Sequence, residues 1–393
     1  MPKRKITNTT KRLSLLILYF LGFVLAISSA LPAYIQSNFL AEFVSLRTLS
    51  FFFIFANTIT VFCIVSFPKL IKSLSNFFLT KVILVIHGVA LLGLVVTSGP
   101  LSAFLAVILF TISTNLLWIN MDVLIETFSN NKSTGRTRTV YFTFINLGWI
   151  ISPSLAGYLI KLGDYQLPFL IAAFLTIPVF LIFLYQGRLL KEKVIYSREK
   201  IASVIKKTLK NRNLRGIFFV SLLLQLFYST AVVYVPIYLF QNLGMSWQSL
   251  SLIFSIMLIP FLLFEIPAGI LADKYIGEKE ILFLGFFILV ASLFLFFYIS
   301  VSTFWIWALV LFMSRIGAAL IEAMKETYFF KIVDAKDVGY INIFRTTAPL
   351  GYIIGPAIAV LTLTFLPLNY LFLIIAIVSL SGFAFVASIK DTK

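Results

Sequence analysis

The chain has little of the chemistry that enzymes and metal proteins use. Its 393 residues include one histidine, one cysteine and 15 acidic residues. Cys63 alone cannot form an internal disulfide, and one histidine supports neither a metal-ligand cluster nor a specific hydrolase site. The phosphate-binding pattern Gly-x-x-x-x-Gly-Lys-Ser/Thr is also missing, so we do not expect this chain alone to pump with ATP. We expect no enzymatic activity, no cofactor and no metal.

Charged residues are scarce and apolar residues are in large excess. The chain is 60% apolar and 12% charged, with a mean hydropathy of +1.02, whereas soluble domains are about 45–50% apolar and about 25% charged. The net charge of +17 comes from lysines and arginines in short clusters between long apolar stretches. This pattern excludes a nucleic-acid-binding domain and predicts a multi-pass membrane protein with the lipid bilayer as its surroundings.

Twelve apolar runs are long enough to cross a bilayer. A helix of about 20 apolar residues spans the roughly 30 Å hydrocarbon layer, where lipid offers no partner to backbone polar groups. The runs are 13–35, 47–67, 77–98, 101–128, 139–160, 167–187, 215–240, 248–271, 280–301, 303–330, 338–363 and 368–388. The predicted fold class is therefore all-α, with twelve transmembrane helices.

Basic residues lie on every second connection between these spans. They cluster before the first span, after the second and fourth spans, and in the segment 188–214. Only Arg47 and Lys161 lie on the other side. Because cytoplasmic loops carry the excess of lysine and arginine, both termini and the 188–214 segment are predicted to be cytoplasmic in a plasma-membrane protein.

The two halves of the chain resemble each other. Three pairs of segments match in the same order and at similar offsets: 147–153 with 350–356, 122–128 with 322–328, and 32–34 with 236–238. Six spans per half give both halves the same orientation, so the repeat is parallel, about an axis along the membrane normal. We predict an N-terminal bundle (1–187), a basic linker (188–214) and a C-terminal bundle (215–393). Residues 200–211 of the linker are expected to form a helix along the headgroups or a flexible tether.

The segment 269–279, Gly-Ile-Leu-Ala-Asp-Lys-Tyr-Ile-Gly-Glu-Lys, resembles the loop motif of the major facilitator superfamily. The resemblance extends over nearly the whole chain and implies a secondary transporter that works by alternating access. The motif departs from the family by one inserted residue before Gly277 and by the acidic Glu278. The first-half counterpart, 67–81, has lost the pattern.

The resemblance implies a latch between the two halves. Its residues would be Gly269, Asp273, Lys274 and Gly277, with Arg136 or Arg138 as the cation opposite Asp273. Gly269 is expected to permit close helix approach, and Asp273 to accept N–H groups at a helix start and pair with the cation. The alternative is that Asp273 only caps a helix.

Ionisable and polar residues inside the bilayer are site candidates because a charge there is costly. Arg315 lies near the middle of the tenth span, and Asn115 lies at the equivalent level of the fourth. With Gln225, Tyr228 and Tyr19 they are predicted to line a central cavity. Arg315 would bind an anionic group, balance a proton-exchanging carboxylate, or form a structural ion pair.

Carboxylates nearer the cytoplasm form a second group. Asp122 and Glu126 fall four residues apart on one helix face, as do Glu322 and Glu326, roughly 10–16 Å beyond the midplane. This depth suits a gate or structural pairing, with Arg345 as partner of Glu322 or Glu326. Proton transfer by Asp122 or Glu322 is the alternative.

Two further ionisable side chains complete the predicted set. Glu265 is a candidate for proton coupling, because an apolar setting favours the neutral carboxyl group; hydrogen-bonded helix packing is the alternative. Lys325 is expected to extend to the headgroups.

The sequence therefore predicts a transporter for a small solute that acts as a monomer and is driven by protons, with the solute gradient as the alternative energy source. Efflux of amphipathic compounds is the first substrate hypothesis, and a sugar or an organic anion is the alternative. A non-transporting scaffold or receptor with a degenerate transporter fold also stays open.

Overall fold

The computed structural model describes residues 8–74, 76–128, 134–186, 201–333 and 338–390. These residues form fifteen α-helices and no strand. The helices are α1 (Asn8–Ala33), α2 (Gln36–Ala41), α3 (Leu46–Leu74), α4 (Asn76–Val95), α5 (Pro100–Phe128), α6 (Thr134–Gly163), α7 (Gln166–Gln186), α8 (Ile201–Lys210), α9 (Arg212–Ile237), α10 (Trp247–Leu271), α11 (Glu278–Tyr298), α12 (Phe304–Ile332), α13 (Val338–Arg345), α14 (Thr347–Phe365) and α15 (Asn369–Ser388).

Twelve segments of the described chain are long and apolar enough to cross a membrane. They coincide with the twelve predicted spans, which confirms the all-α, twelve-span fold class. Two spans end in wider π-helical turns, Tyr238–Asn242 after α9 and Ala272–Ile276 after α10. Pro236 and Pro267 lie shortly before these turns, and a proline removes one helical hydrogen bond at each place.

Helix packing repeats from one half to the other. In the N-terminal bundle α1 packs on α6, α4 on α5 and α4 on α7; in the C-terminal bundle α9 packs on α14, α11 on α12 and α11 on α15. Between the bundles, α6 packs on α10 and α3 packs on α14. Since α3 is equivalent to α10 and α6 to α14, a twofold axis along the membrane normal exchanges the two contacts.

The connection between the bundles contains the short helix α8. Val204 and Thr208 are buried, and Val204 packs beside Gly339 at the start of the eleventh span. Lys206, Lys207 and Lys210 are exposed. The predicted helix is therefore present, but its buried side faces the C-terminal bundle. Residues 187–200 lie outside the described chain.

We name the two faces of the molecule by the chain ends. The terminal face is the one at which α1 begins and α15 ends, and the distal face is the opposite one. Odd-numbered spans run from the terminal to the distal face and even-numbered spans return, so the last residues of α5, α10 and α12 lie at the terminal face. This frame fixes the depth of each candidate side chain.

A central cavity between the two bundles

The two bundles touch along the distal half of the molecule. Several hydrogen bonds join the bundles there. We call four of them the distal closure: Ser50 Oγ with Tyr234 Oη at 2.7 Å, Ser154 Oγ to Ser255 Oγ at 2.7 Å, Trp247 Nε1 to Tyr165 Oη at 3.0 Å, and Arg47 Nη2 to the Leu363 carbonyl at 3.1 Å. Burial raises the pKa of Tyr165 to about 12. Arg47, which breaks the basic-residue pattern of the sequence, has a structural use here.

A cavity of about 1410 Å³ lies between the bundles. Its lining runs from Tyr34, at the distal end, to Phe330 and Val333 at the terminal face. Tyr34 stacks on Phe254 with ring centroids 5.1 Å apart and meets Trp149 edge-on at 6.4 Å. The cavity is therefore covered toward the distal face and extends to the terminal face.

Arg315 lies on α12 and lines this cavity, although only 1% of its surface is exposed. Its Nη1 is 3.5 Å from Ser314 Oγ, and its guanidinium carbon lies 4.9 Å from the centre of the Phe227 ring. The structural ion pair considered from the sequence is not seen, because no carboxylate of the described chain lies within 4.0 Å of the guanidinium.

The structure brings three other predicted residues to the same cavity. Asn115, Gln225 and Tyr228 all line it. Tyr19 is not among the lining residues, because its ring stacks on Phe144 at 5.9 Å. Phe144 is 38% exposed, so this pair faces the outer surface of the bundle.

Sequence reasoning missed most of the aromatic residues that line the cavity, and two of them are related by the repeat. Trp149 and Tyr352 line it from opposite bundles. They occupy equivalent positions in the matched segments 147–153 and 350–356. The repeat could therefore have predicted them, because the matched segments have an aromatic residue at the same position of each half.

A charge cluster lies in the terminal half of the cavity. Arg345 binds Glu326 with both terminal nitrogens, at 2.6 and 3.0 Å, and its Nε lies 3.5 Å from Asp122 of the other bundle. The pairing predicted between Arg345 and Glu326 is thus present, and Arg345 also links the bundles. The side chain of Glu126 lies outside the described residues.

Lys325 does not extend to the headgroups, and that prediction was wrong. Its side chain is 2% exposed, with Nζ 3.1 Å from Glu322 and 3.4 Å from Ser221. Glu322 also accepts a hydrogen bond from Tyr228 at 3.3 Å. A carboxylate one turn away compensates the buried ammonium group better than a long reach to the membrane surface would.

Glu265 on α10 lines the cavity and bonds across the bundles. Its Oε2 accepts a hydrogen bond from Asn146 Nδ2 on α6 at 3.3 Å. Asp122, Glu322 and Glu326 each have a cationic partner. Within the described ranges no cation lies within 4.0 Å of the Glu265 carboxylate.

The loop motif is only partly described. The side chains of Asp273, Arg136 and Arg138 lie outside the described residues, so the predicted latch stays a prediction. Lys274 is exposed. Gly277 has φ +85°, a left-handed conformation that favours glycine, directly before α11.

Two details of the motif differ from expectation. Glu278 occupies the position at which the family motif has a basic residue. Its side chain is 1% exposed and forms an ion pair with Lys331 of α12. Gly269 does not permit close helix contact in this conformation: a Cβ there would meet nothing within 4 Å. It lines the cavity instead, because the two bundles are apart at this level.

Close approach occurs at other glycines. A Cβ on Gly157 would lie 2.3 Å from Ser251, across the bundle interface. A Cβ on Gly351 would lie 2.6 Å from the Gln225 backbone, and one on Gly148 would lie 2.7 Å from Ala26. The glycines of the fifth and eleventh spans therefore lie where helices pack tightly against each other.

Arg345→Gln is expected to destabilise the protein more than Asp122→Asn. Removing Arg345 leaves two carboxylates without their cation, at a cost of ~1–3 kcal/mol for this partly exposed cluster. Asp122→Asn keeps the Arg345–Glu326 pair and is expected to cost less than ~1 kcal/mol. Thermal unfolding in detergent measures both. Adding Glu326→Gln to Arg345→Gln should recover part of the loss, and equal effects of the two single changes would contradict this account.

Two parallel six-helix bundles around a shared cavity define the fold of a membrane transporter. The chain belongs to the Major Facilitator Superfamily, whose sequence profile matches residues 104–256 and 217–392. No curated protein sequence matches the chain.

Solved structures with the same fold include two transporters. The nucleoside transporter NupG (D323A mutant) has a TM-score of 0.74 and 18% identity, covering 97% of this chain and 100% of its own. A bacterial homologue of the human lysosomal transporter Spinster, inward-facing and occupied, has a TM-score of 0.73 and 12% identity, covering 97% of each chain. The same homologue, inward-facing and unoccupied, has a TM-score of 0.70 and 10% identity, covering 97% of this chain and 94% of its own.

Proposed function

We propose that this protein is a proton-coupled secondary transporter that moves a small solute across the plasma membrane by alternating access. The observation that carries the proposal is the cavity, which both bundles line and which is covered at the distal face but extends to the terminal face. The positive-inside rule puts the terminal face in the cytoplasm, so this conformation faces inward.

The symmetry of the bundle interface supports a rocking motion. In this conformation α3–α14 and α6–α10 hold the bundles together at the distal half. Rocking about these helix pairs would open the distal closure and bring the terminal ends together, as in parallel-repeat transporters. The Asp122–Arg345 contact would then tighten, with the latch of Asp273 and Arg136 or Arg138 beside it.

Glu265 is the proposed proton carrier. It faces the cavity, has no cationic partner within the described chain, and accepts a hydrogen bond from Asn146 of the opposite bundle. A carboxyl group in this place can exchange its proton with the cavity while it changes a contact between the bundles. Asp122 and Glu322 are less suited, because each already pairs with a cationic side chain, Asp122 with Arg345 and Glu322 with Lys325.

The aromatic cavity wall favours amphipathic compounds over sugars as substrates. Trp149, Tyr352 and Phe261 offer flat apolar surface beside a few hydrogen-bonding groups. We propose export from the cytoplasm by a monomer. The non-transporting scaffold is the alternative, because the first-half loop motif has decayed.

Glu265→Gln is expected to abolish proton coupling while leaving insertion and downhill flux intact, because glutamine keeps the hydrogen bond from Asn146 but cannot release a proton. The measurement is lumenal pH in liposomes of the purified protein, on addition of a panel of amphipathic drugs, sugars and organic acids. Glu280→Gln, at an exposed position, is the matched control and should behave like wild type. Full coupling in Glu265→Gln would clear Glu265 of the role, and no flux of any compound through wild type would favour the scaffold.

A further inference from the structure

Arg315 is a buried cation whose environment contains no described counter-charge. Two cationic side chains of the described chain line the cavity, Arg315 and Lys331. Lys331 pairs with Glu278. Arg315 is 1% exposed, and no carboxylate among the residues that the structure describes lies within 4.0 Å of it.

The contacts of Arg315 leave one terminal nitrogen of the guanidinium group without a hydrogen bond to any described residue. Nη1 has one weak contact, to Ser314 Oγ at 3.5 Å, the Tyr34 hydroxyl lies within hydrogen-bonding reach of the guanidinium, and the Phe227 ring covers one face. Nη2 donates to no acceptor of the described chain. A planar guanidinium with a free nitrogen suits bidentate binding of a carboxylate, sulfonate or phosphate group.

Three of the four carboxylates that line the cavity have cationic partners elsewhere, and the fourth, Glu265, accepts a hydrogen bond from Asn146 and lies more than 4.0 Å from any described cation. Glu322 lies seven residues further along α12, about 10 Å along the helix axis, and pairs with Lys325. Glu326 and Asp122 pair with Arg345. The carboxylates of the cluster near the terminal face are neutralised by Lys325 and Arg345. They therefore do not pair with the positive charge of Arg315 at the distal end of the cavity.

Aromatic rings surround the same end of the cavity. Tyr34 and Tyr352 lie close enough to Arg315 to interact with its charge, and Trp149 meets Tyr34 edge-on. All three rings line the cavity. An apolar body attached to an anionic group would therefore find aromatic surface next to the cation.

We propose that the transported substrate is an amphipathic organic anion, whose acidic group binds Arg315 and whose apolar body packs against Tyr34, Trp149 and Tyr352. This inference rests on the proposed function, since it assigns the substrate class of the same cavity. It narrows the substrate from amphipathic compounds in general to those with an acidic group. It also gives Arg315 a role other than neutralising the charge of the Glu265 carboxylate.

Binding of matched acids and amides to the purified protein tests this assignment. The probes are benzoate and benzamide, 2-naphthoate and 2-naphthamide, and 4-phenylbutyrate and 4-phenylbutanamide, measured by titration calorimetry in a non-ionic detergent. We expect at least one acid to bind about tenfold more tightly than its amide, the gain expected from one charge-assisted hydrogen bond. Arg315→Gln should reduce this preference to about twofold or less, whereas Arg315→Lys should retain part of it.

Arg212→Gln is the control for loss of an arginine, because Arg212 is exposed at the start of α9. Thermal unfolding of Arg315→Gln shows whether the variant is folded, and the partial preference of Arg315→Lys provides a second readout. Equal affinities within all three pairs, or an unchanged preference in Arg315→Gln, would overturn the assignment.

Flux measurements separate this inference from the proposed function. If the protein prefers acids in a way that depends on Arg315 but shows no flux in liposomes, the anion site is supported and the transport function is contradicted. If neutral compounds are transported and no acid is preferred over its amide, the transport function is supported and the anion site is contradicted.

Discussion

Oxidation of the pair Ser154→Cys and Ser255→Cys, in a Cys63→Ser background, is expected to stop transport completely and reversibly. The two serine oxygens are 2.7 Å apart across the bundles, so sulfur atoms in their place need only a small adjustment to reach the ~2.05 Å disulfide length. The bond would fix α6 to α10 and prevent the distal closure from opening. Solute flux in liposomes is measured after oxidation and again after a reducing agent.

Each single cysteine variant is the control, and neither should respond to oxidant. Cross-linking is verified by mass spectrometry of the peptide pair. Full flux through a completely cross-linked protein would mean that the distal closure stays shut during transport, which is incompatible with alternating access through this cavity.

Gly157→Leu is expected to lower transport at least about tenfold by holding the distal half open. A Cβ at this position would lie 2.3 Å from Ser251 and 3.2 Å from the Trp247 carbonyl. Overpacking costs ~1–3 kcal/mol, and each ~1.4 kcal/mol shifts a two-state population tenfold. Because the strain exists only when α6 and α10 are in contact, it penalises the conformation described here.

Labelling of a cysteine in the cavity reads out the shift. Val232 lines the cavity, and a cysteine introduced by Val232→Cys should react with a membrane-impermeant maleimide from the distal side several-fold faster in Gly157→Leu than in the parent. Gly99→Leu is the matched control, since a Cβ at Gly99 meets nothing within 4 Å. Normal flux and terminal-side labelling in Gly157→Leu would show that the interface at this point is not part of the gate.

Much of the fold could be predicted from the sequence because lipid imposes simple rules. A bilayer demands long apolar helices, so the twelve spans are visible as runs of apolar residues. The duplication was visible because the matched segments 147–153 and 350–356 include helix contacts and cavity walls. Arg315 stood out because a charge at mid-depth is rare.

The remaining details depend on three-dimensional contacts that lie far apart in sequence. Lys325 was misplaced because its compensation comes from Ser221 as well as Glu322, and Ser221 is on another helix. Gly269 was expected in a tight contact, which the separation of the bundles at the terminal face removes. Neither the bond from Asn146 to Glu265 nor that from Arg47 to Leu363 follows from any local pattern.

The exchange of α3–α14 with α6–α10 by the twofold axis makes the contact between the bundles isologous, as in a C2 homodimer. Each bundle contacts the other through the same two surfaces, those of its second and fifth membrane-spanning helices. An ancestral six-helix chain could therefore have assembled as two identical copies before its gene doubled. In the present chain the segment that joins the bundles raises their effective concentration and fixes their ratio at one to one, while the helices themselves provide the recognition between bundles. The two halves were then free to diverge, so that the shared cavity is lined by Arg315 in one half and by Asn115 at the equivalent position of the other.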